Sequence, residues 1–147
     1  MGLRKQALEL EPDAIELAGV DQSDVIAILM ETGYPEAVAT LVAVTDGTSS
    51  VYFSNGGGII GGGEHQSVRD VTKSFIALAH DYISKASAAT AYPLPRKEYV
   101  RFYIVTAGAI HTVEALEDDL GNERHVFSPL FLKGHELITS IREHTPE

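Results

Sequence analysis

Apolar residues recur along this chain at two different periods, and each period predicts a different kind of element. Val68, Val71, Phe75, Leu78, Ala79, Tyr82, Ile83 and Ala86 step by three and four, the mark of an amphipathic helix. Running from His65 to Ala86, that helix would be about 33 Å long. Its other face carries Arg69, Asp70, Lys73, Asp81 and Lys85, a solvated stripe. A shorter helix is predicted before it, with Asp21 or Ser23 as cap and Asp24 in the first turn. Val25, Ile26, Ile28, Leu29 and Met30 form its apolar run, and Gly33 with Pro35 its stop. A closing helix begins at Ser128-Pro129, serine at the N-cap and proline at the first helical position, where a missing N–H costs nothing. Leu130, Gly134, Leu137, Ile138 and Ile141 make its buried stripe.

The second period is that of strands. Ala37 to Thr45 is almost continuously apolar through Val38, Leu41, Val42, Ala43 and Val44, which predicts a central strand buried on both faces. Asp46-Gly47 supplies a tight turn and Val51-Tyr52-Phe53 returns, giving an antiparallel hairpin. Tyr99 to Thr106 alternates, Ala107-Gly108 turns and Ala109 to Ala115 comes back as a second hairpin. Between the long helix and that hairpin, Ala86 to Ala91 is small and polar, and Tyr92-Pro93-Leu94-Pro95 is a stiff extended connector. Glu117-Asp118-Asp119 with Gly121-Asn122 reads as an exposed acidic loop, and Arg124 to Phe127 as a short edge strand. The predicted order is α-β-β-α-β-β-α, an α+β fold whose antiparallel sheet, built from two hairpins, is covered by helices.

The succession from Val25 to Ile141 resembles the roadblock/LC7 domain, a profilin-like fold of a helix, a hairpin, a long helix, further antiparallel strands and a final helix. Leu41-Val42-Ala43-Val44-Thr45-Asp46-Gly47 is similar to that family's first-strand segment ending in an aspartate-glycine turn. The resemblance implies homodimers that act as adaptors or as regulators of small GTPases, with no catalytic residues to carry over.

Length and charge narrow the picture. The 147 residues suit a single domain, 1–147. Residues 1–20 form a loosely attached segment in which Leu3, Ala7, Leu8 and Leu10 have the spacing of a frayed helix before Pro12. Eleven basic residues against 21 acidic ones leave a formal net charge of −10, and no basic run occurs. That excludes nucleic acid and anionic membrane surfaces as expected partners. The absence of cysteine excludes disulfides and thiol chemistry. Glu9, Glu11, Asp13 and Glu16 interrupt any signal-peptide core, and no apolar run is long enough for a bilayer, so a cytoplasmic protein is expected.

Candidate chemistry centres on Asn55 to Gly63, which holds six of the 13 glycines. So many glycines together predict positive φ, or a neighbour that leaves no room for a Cβ. A glycine loop between a strand and a helix also offers backbone N–H groups to an anion. Glu64, however, stands where a Walker loop has lysine and would oppose phosphate, and no βαβ unit is present for a dinucleotide. Close packing is therefore the leading reading of the loop. The alternative is a small-ligand or enzymatic site built from Gly57, Gly58, Gly61, Gly62, Gly63, Glu64, His65, Ser67 and Arg101.

The six histidines form neither an HxH nor an HExxH element, and Glu117 to Asp119 lack the spacing of a calcium loop, so no metal and no cofactor are expected. Ser54, Ser67 and Thr106 lie near element ends, but no G-x-S-x-G elbow surrounds them. His65 and Ser67 are two apart in a predicted helix, so their side chains diverge. Tyr99, Arg101 and Tyr103 share one strand face, an ordinary sheet surface in the first reading and a stacking surface in the second. No catalytic residue is named, and the chemistry weighs against an enzyme. A non-enzymatic interaction or regulatory module, acting as a homodimer, is the expected function.

Overall fold

The apolar run that the pattern assigns to a helix, Val25 to Met30, instead lies in the middle of a sheet. The computed structural model describes residue 8 and residues 24–55, 58–60 and 65–143, and its first strand is β1, Val25–Gly33, buried at every position. The helix predicted through Val25 to Met30 is thus corrected to a strand, while its cap candidates Asp21 and Ser23 lie outside the described residues. Val25, Ile26 and Ile28 are β-branched and suit a pleated surface. A strand buried on both faces also loses the alternation by which strands are recognised, and Gly33 with Pro35 ends a strand as readily as a helix.

The hairpin after β1 follows the predicted pattern. β2, Val38–Val44, and β3, Ser49–Phe53, pair antiparallel around Asp46-Gly47. Gly47 takes φ 98°, in the left-handed region that favours glycine, and Asp46 Oδ1 accepts from the Thr48 N–H at 2.9 Å. β4, Gly58–Ile60, adds a three-residue margin to β3.

The long helix is shorter than its periodicity predicts. α1, Gln66–Ala79, tightens into a 3₁₀ turn over His80–Lys85 that buries Tyr82. β5, Ser87–Ala88, then edges the sheet, and the second hairpin comprises β6, Tyr99–Thr106, and β7, Ile110–Leu116. The acidic segment winds into one short helix, α2, Glu117–Gly121. Residues 124–127 form a turn instead of the predicted edge strand, because Arg124 folds back onto Asp118 at 2.6 Å and Asp119 at 3.3 Å. α3, Ser128–Glu143, closes the described chain where the Ser-Pro signal placed it.

Among the described residues the sheet has seven strands in the order β4-β3-β2-β1-β6-β7-β5, every pairing antiparallel. The α+β class holds, while the order of elements opens on strands and gains β4 and β5. α1 and α3 lie on one face, over Ile28, Met30, Leu41 and Phe102. Gly134 lets α3 approach, since a Cβ there would stand 2.7 Å from the Met30 sulfur and 3.3 Å from Phe75. The opposite face packs Ile26, Leu29, Val42, Tyr103 and Val105 with Leu8.

Candidate functional site

One end of the sheet is tied together by backbone hydrogen bonds between segments far apart in sequence. The Glu98 N–H donates to the Gly33 carbonyl at 2.9 Å, and the Glu117 N–H donates to the Glu98 carbonyl at 3.0 Å. Gly33 is needed there because a Cβ would collide with the Arg96 carbonyl. Glu98 pays for this junction with φ 74°, a conformation that costs a residue with a Cβ about 1 kcal/mol.

Against this junction α2 and α3 leave an open groove of about 600 Å³, lined by Glu98, Leu116, Glu117, Asp118, Gly121, Asn122, Phe131 and His135. Its aromatic part is one turn of α3. Phe131 and His135 are four residues apart, the spacing that stacks side chains on one helix face, and their rings meet edge to face at 4.5 Å. Burial lowers the His135 imidazole from its ordinary 6.5, so the ring is neutral at pH 7. Its Nε2 is buried without a hydrogen-bond partner.

The carboxylates of the groove differ in their surroundings. Asp118 is engaged: Arg124 reaches one oxygen at 2.6 Å, and the Asn122 amide donates to its carbonyl at 2.6 Å and to its other oxygen at 3.1 Å. Glu98 and Glu117 have no basic side chain within ion-pair distance among the described residues. Burial pushes the Glu117 carboxyl above the usual glutamate range. The nearby Tyr34 hydroxyl is raised by burial and by the Glu117 charge, with Arg142 opposing.

Of the residues singled out in the sequence, those that the structure describes do not line this groove. Gly57, Gly61, Gly62, Gly63 and Glu64 fall outside the described residues. Gly58 opens β4 opposite Tyr52. His65 is the extended, exposed residue before α1, its side chain making no cap bond, and Ser67 is exposed in the first turn. Arg101 sits on β6 on the face turned away from α1, beside Tyr103 in strand alternation. The fold therefore does not bring Arg101 to His65 and Ser67.

Arg101 belongs to a polar ladder across three strands. It stands opposite Glu31 on β1 and Glu114 on β7, donates to Thr112 Oγ1 at 3.0 Å and approaches Glu114 at 3.6 Å. Glu31 is fully buried and accepts a 2.7 Å hydrogen bond from Thr40 Oγ1. Arg96 adds a contact to Glu114 at 3.2 Å and covers the Tyr99 ring at 4.0 Å. On the shared face of Tyr99, Arg101 and Tyr103, Tyr103 is fully buried while Tyr99 and Arg101 are half-buried.

The groove escaped sequence reasoning. Its acidic part was visible only as a turn, and His135 only as one of six scattered histidines; the Phe131–His135 spacing was the available signal. Among the described residues no group of three or more His, Asp or Glu side chains could hold a metal ion, and no helix is long and apolar enough to cross a membrane. Comparison with protein-family models, with curated proteins and with solved structures finds no match to this chain.

Proposed function

We propose that the protein is a non-enzymatic interaction module that works as a homodimer, two copies meeting edge to edge at β4. The observation that carries this reading is the place of β4, hydrogen-bonded to β3 on one side and, among the described residues, at the margin of the sheet on the other. An edge strand presents outward N–H and C=O groups, a template for another strand. An antiparallel edge pairs with its own copy about a twofold axis. Proteins usually guard such edges with charge or proline, and the sequence from Asn55 to Gly63 contains neither.

The hairpin β2–β3, helix α1, hairpin β6–β7 and closing helix α3 support a roadblock-like regulatory role, with β1 standing where that family's pattern has a helix. β7 is five strands from β4 in the sheet, about 24 Å at the usual strand spacing. Joining at β4 thus leaves one groove open on each copy. Native mass spectrometry over a micromolar concentration series tests the assembly. A dimer mass is expected, and a monomer at every concentration would overturn the reading.

A further inference from the structure

We propose that the groove between α2, α3 and the end of β7 binds an alkylammonium group, the chemistry of a lysine side chain or of a free aliphatic amine. The inference goes beyond the dimer reading and holds for either oligomeric state. Its first support is that the charged lining is wholly acidic. Glu98, Glu117 and Asp118 bring carboxylates, the Asn122 amide donor is spent on Asp118, and no lysine or arginine lines the cavity. Arg124, just after α2, already bridges Asp118 and Asp119.

The second support is Glu117, a half-buried residue that lines the cavity with no cation in ion-pair distance among the described residues. A charge withdrawn from water is ordinarily paired, and a ligand ammonium is the partner this one lacks. Glu98 stands on the turn before β6, its carbonyl accepting from the Glu117 N–H at the start of α2. A tetrahedral ammonium, with three diverging donors, can reach two carboxylates held on separate segments.

The floor is the third support. Phe131 and His135 offer ring surface, and the imidazole is uncharged, so a cation over these rings is attracted and not repelled. Nε2 of His135 is buried without a partner; an ammonium proton is a donor for it once the ring turns toward the groove. Leu116 supplies an apolar wall for the methylenes of an alkyl chain.

The test is a ¹H–¹⁵N correlation titration of the whole protein with three probes: a linear aliphatic diamine, Nα-acetyl-lysine methylamide, and the same lysine derivative acetylated at Nε. Sodium chloride at matched ionic strength is the control. Saturable shifts at the amides of 116–122 and 131–135 are expected with a charged amine and not with the Nε-acetyl form. Glu117→Gln should weaken that binding by about tenfold, while Asp81→Asn, on the exposed 3₁₀ turn, should leave it unchanged. Response to the lysine derivative alone identifies a protein-borne side chain as the occupant, and response to the diamine alone a free amine; both support the proposal. Non-saturating shifts spread over the acidic surface, equal binding of the Nε-acetyl form, or no shift in the groove with either amine would overturn it.

Discussion

Two sets of glutamates in this molecule meet opposite fates. Glu31 and Glu114 lie on the sheet face turned away from the helices, and both are supplied with partners by the fold: Thr40 for Glu31, Arg96 and Arg101 for Glu114. Glu98 and Glu117 border a cavity and have no cationic partner among the described residues. Buried charge is tolerated where neighbours complete it, so the first set reads as architecture. The second set, exposed at Glu98 and half-buried at Glu117, has only solvent beside it among the described residues, which is the arrangement the proposed amine site uses.

Breaking the completed set should have the largest effect. Glu31→Ala removes a fully buried carboxylate, leaving the Thr40 hydroxyl without its acceptor and the Arg101 guanidinium with less negative charge beside it. We expect a loss of about 3 kcal/mol in unfolding free energy by urea titration. A change under about 0.5 kcal/mol would mean that the ladder contributes little to stability.

A smaller effect belongs to His135. Its folded-state value lies below the ordinary 6.5 because burial disfavours the charged ring. Its contribution to stability is complete above about 6.5, and declines as the pH falls from there toward the lowered folded value. The loss should be small, because the ring is only partly withdrawn from water. The difference between urea midpoints at pH 7.5 and 5.5 should shrink in His135→Gln; an unchanged difference would assign that pH dependence to other groups.

Glu117 should give the smallest effect, and of opposite sign. Its carboxyl is raised by burial, so its favourable contribution is present below the usual glutamate range and is lost as pH rises through the raised value. Most of the group remains solvent-screened, and Glu117→Gln should leave stability at pH 7 unchanged or higher by at most about 0.5 kcal/mol. Paired with the roughly tenfold loss of amine binding predicted for the same variant, that outcome would separate a binding carboxylate from a structural one. A clear destabilisation would place Glu117 with Glu31.

Local rules reached a good part of this fold. Asp46-Gly47 gave the β2–β3 turn because glycine takes the positive φ that the turn needs, and Ser128-Pro129 gave the start of α3 because a first-turn proline forgoes no hydrogen bond. The alternation of Tyr99 to Thr106 gave β6, since one side of a strand differs from the other at every step. Each of these signals is carried by residues next to one another in the chain.

Tertiary structure decided the rest. Val25–Met30 is apolar throughout, and only the position of β1 between β2 and β6 makes this run a strand, because burial on both faces erases the period that would have declared it. Arg124 folds onto α2 and so never continues an edge strand. The groove draws Glu98 from one turn, Leu116 to Asn122 from the β7–α2 junction, and Phe131 with His135 from α3. Whether a carboxylate there has a counterion depends on which distant segments pack beside it, and no period or cap along the chain encodes that.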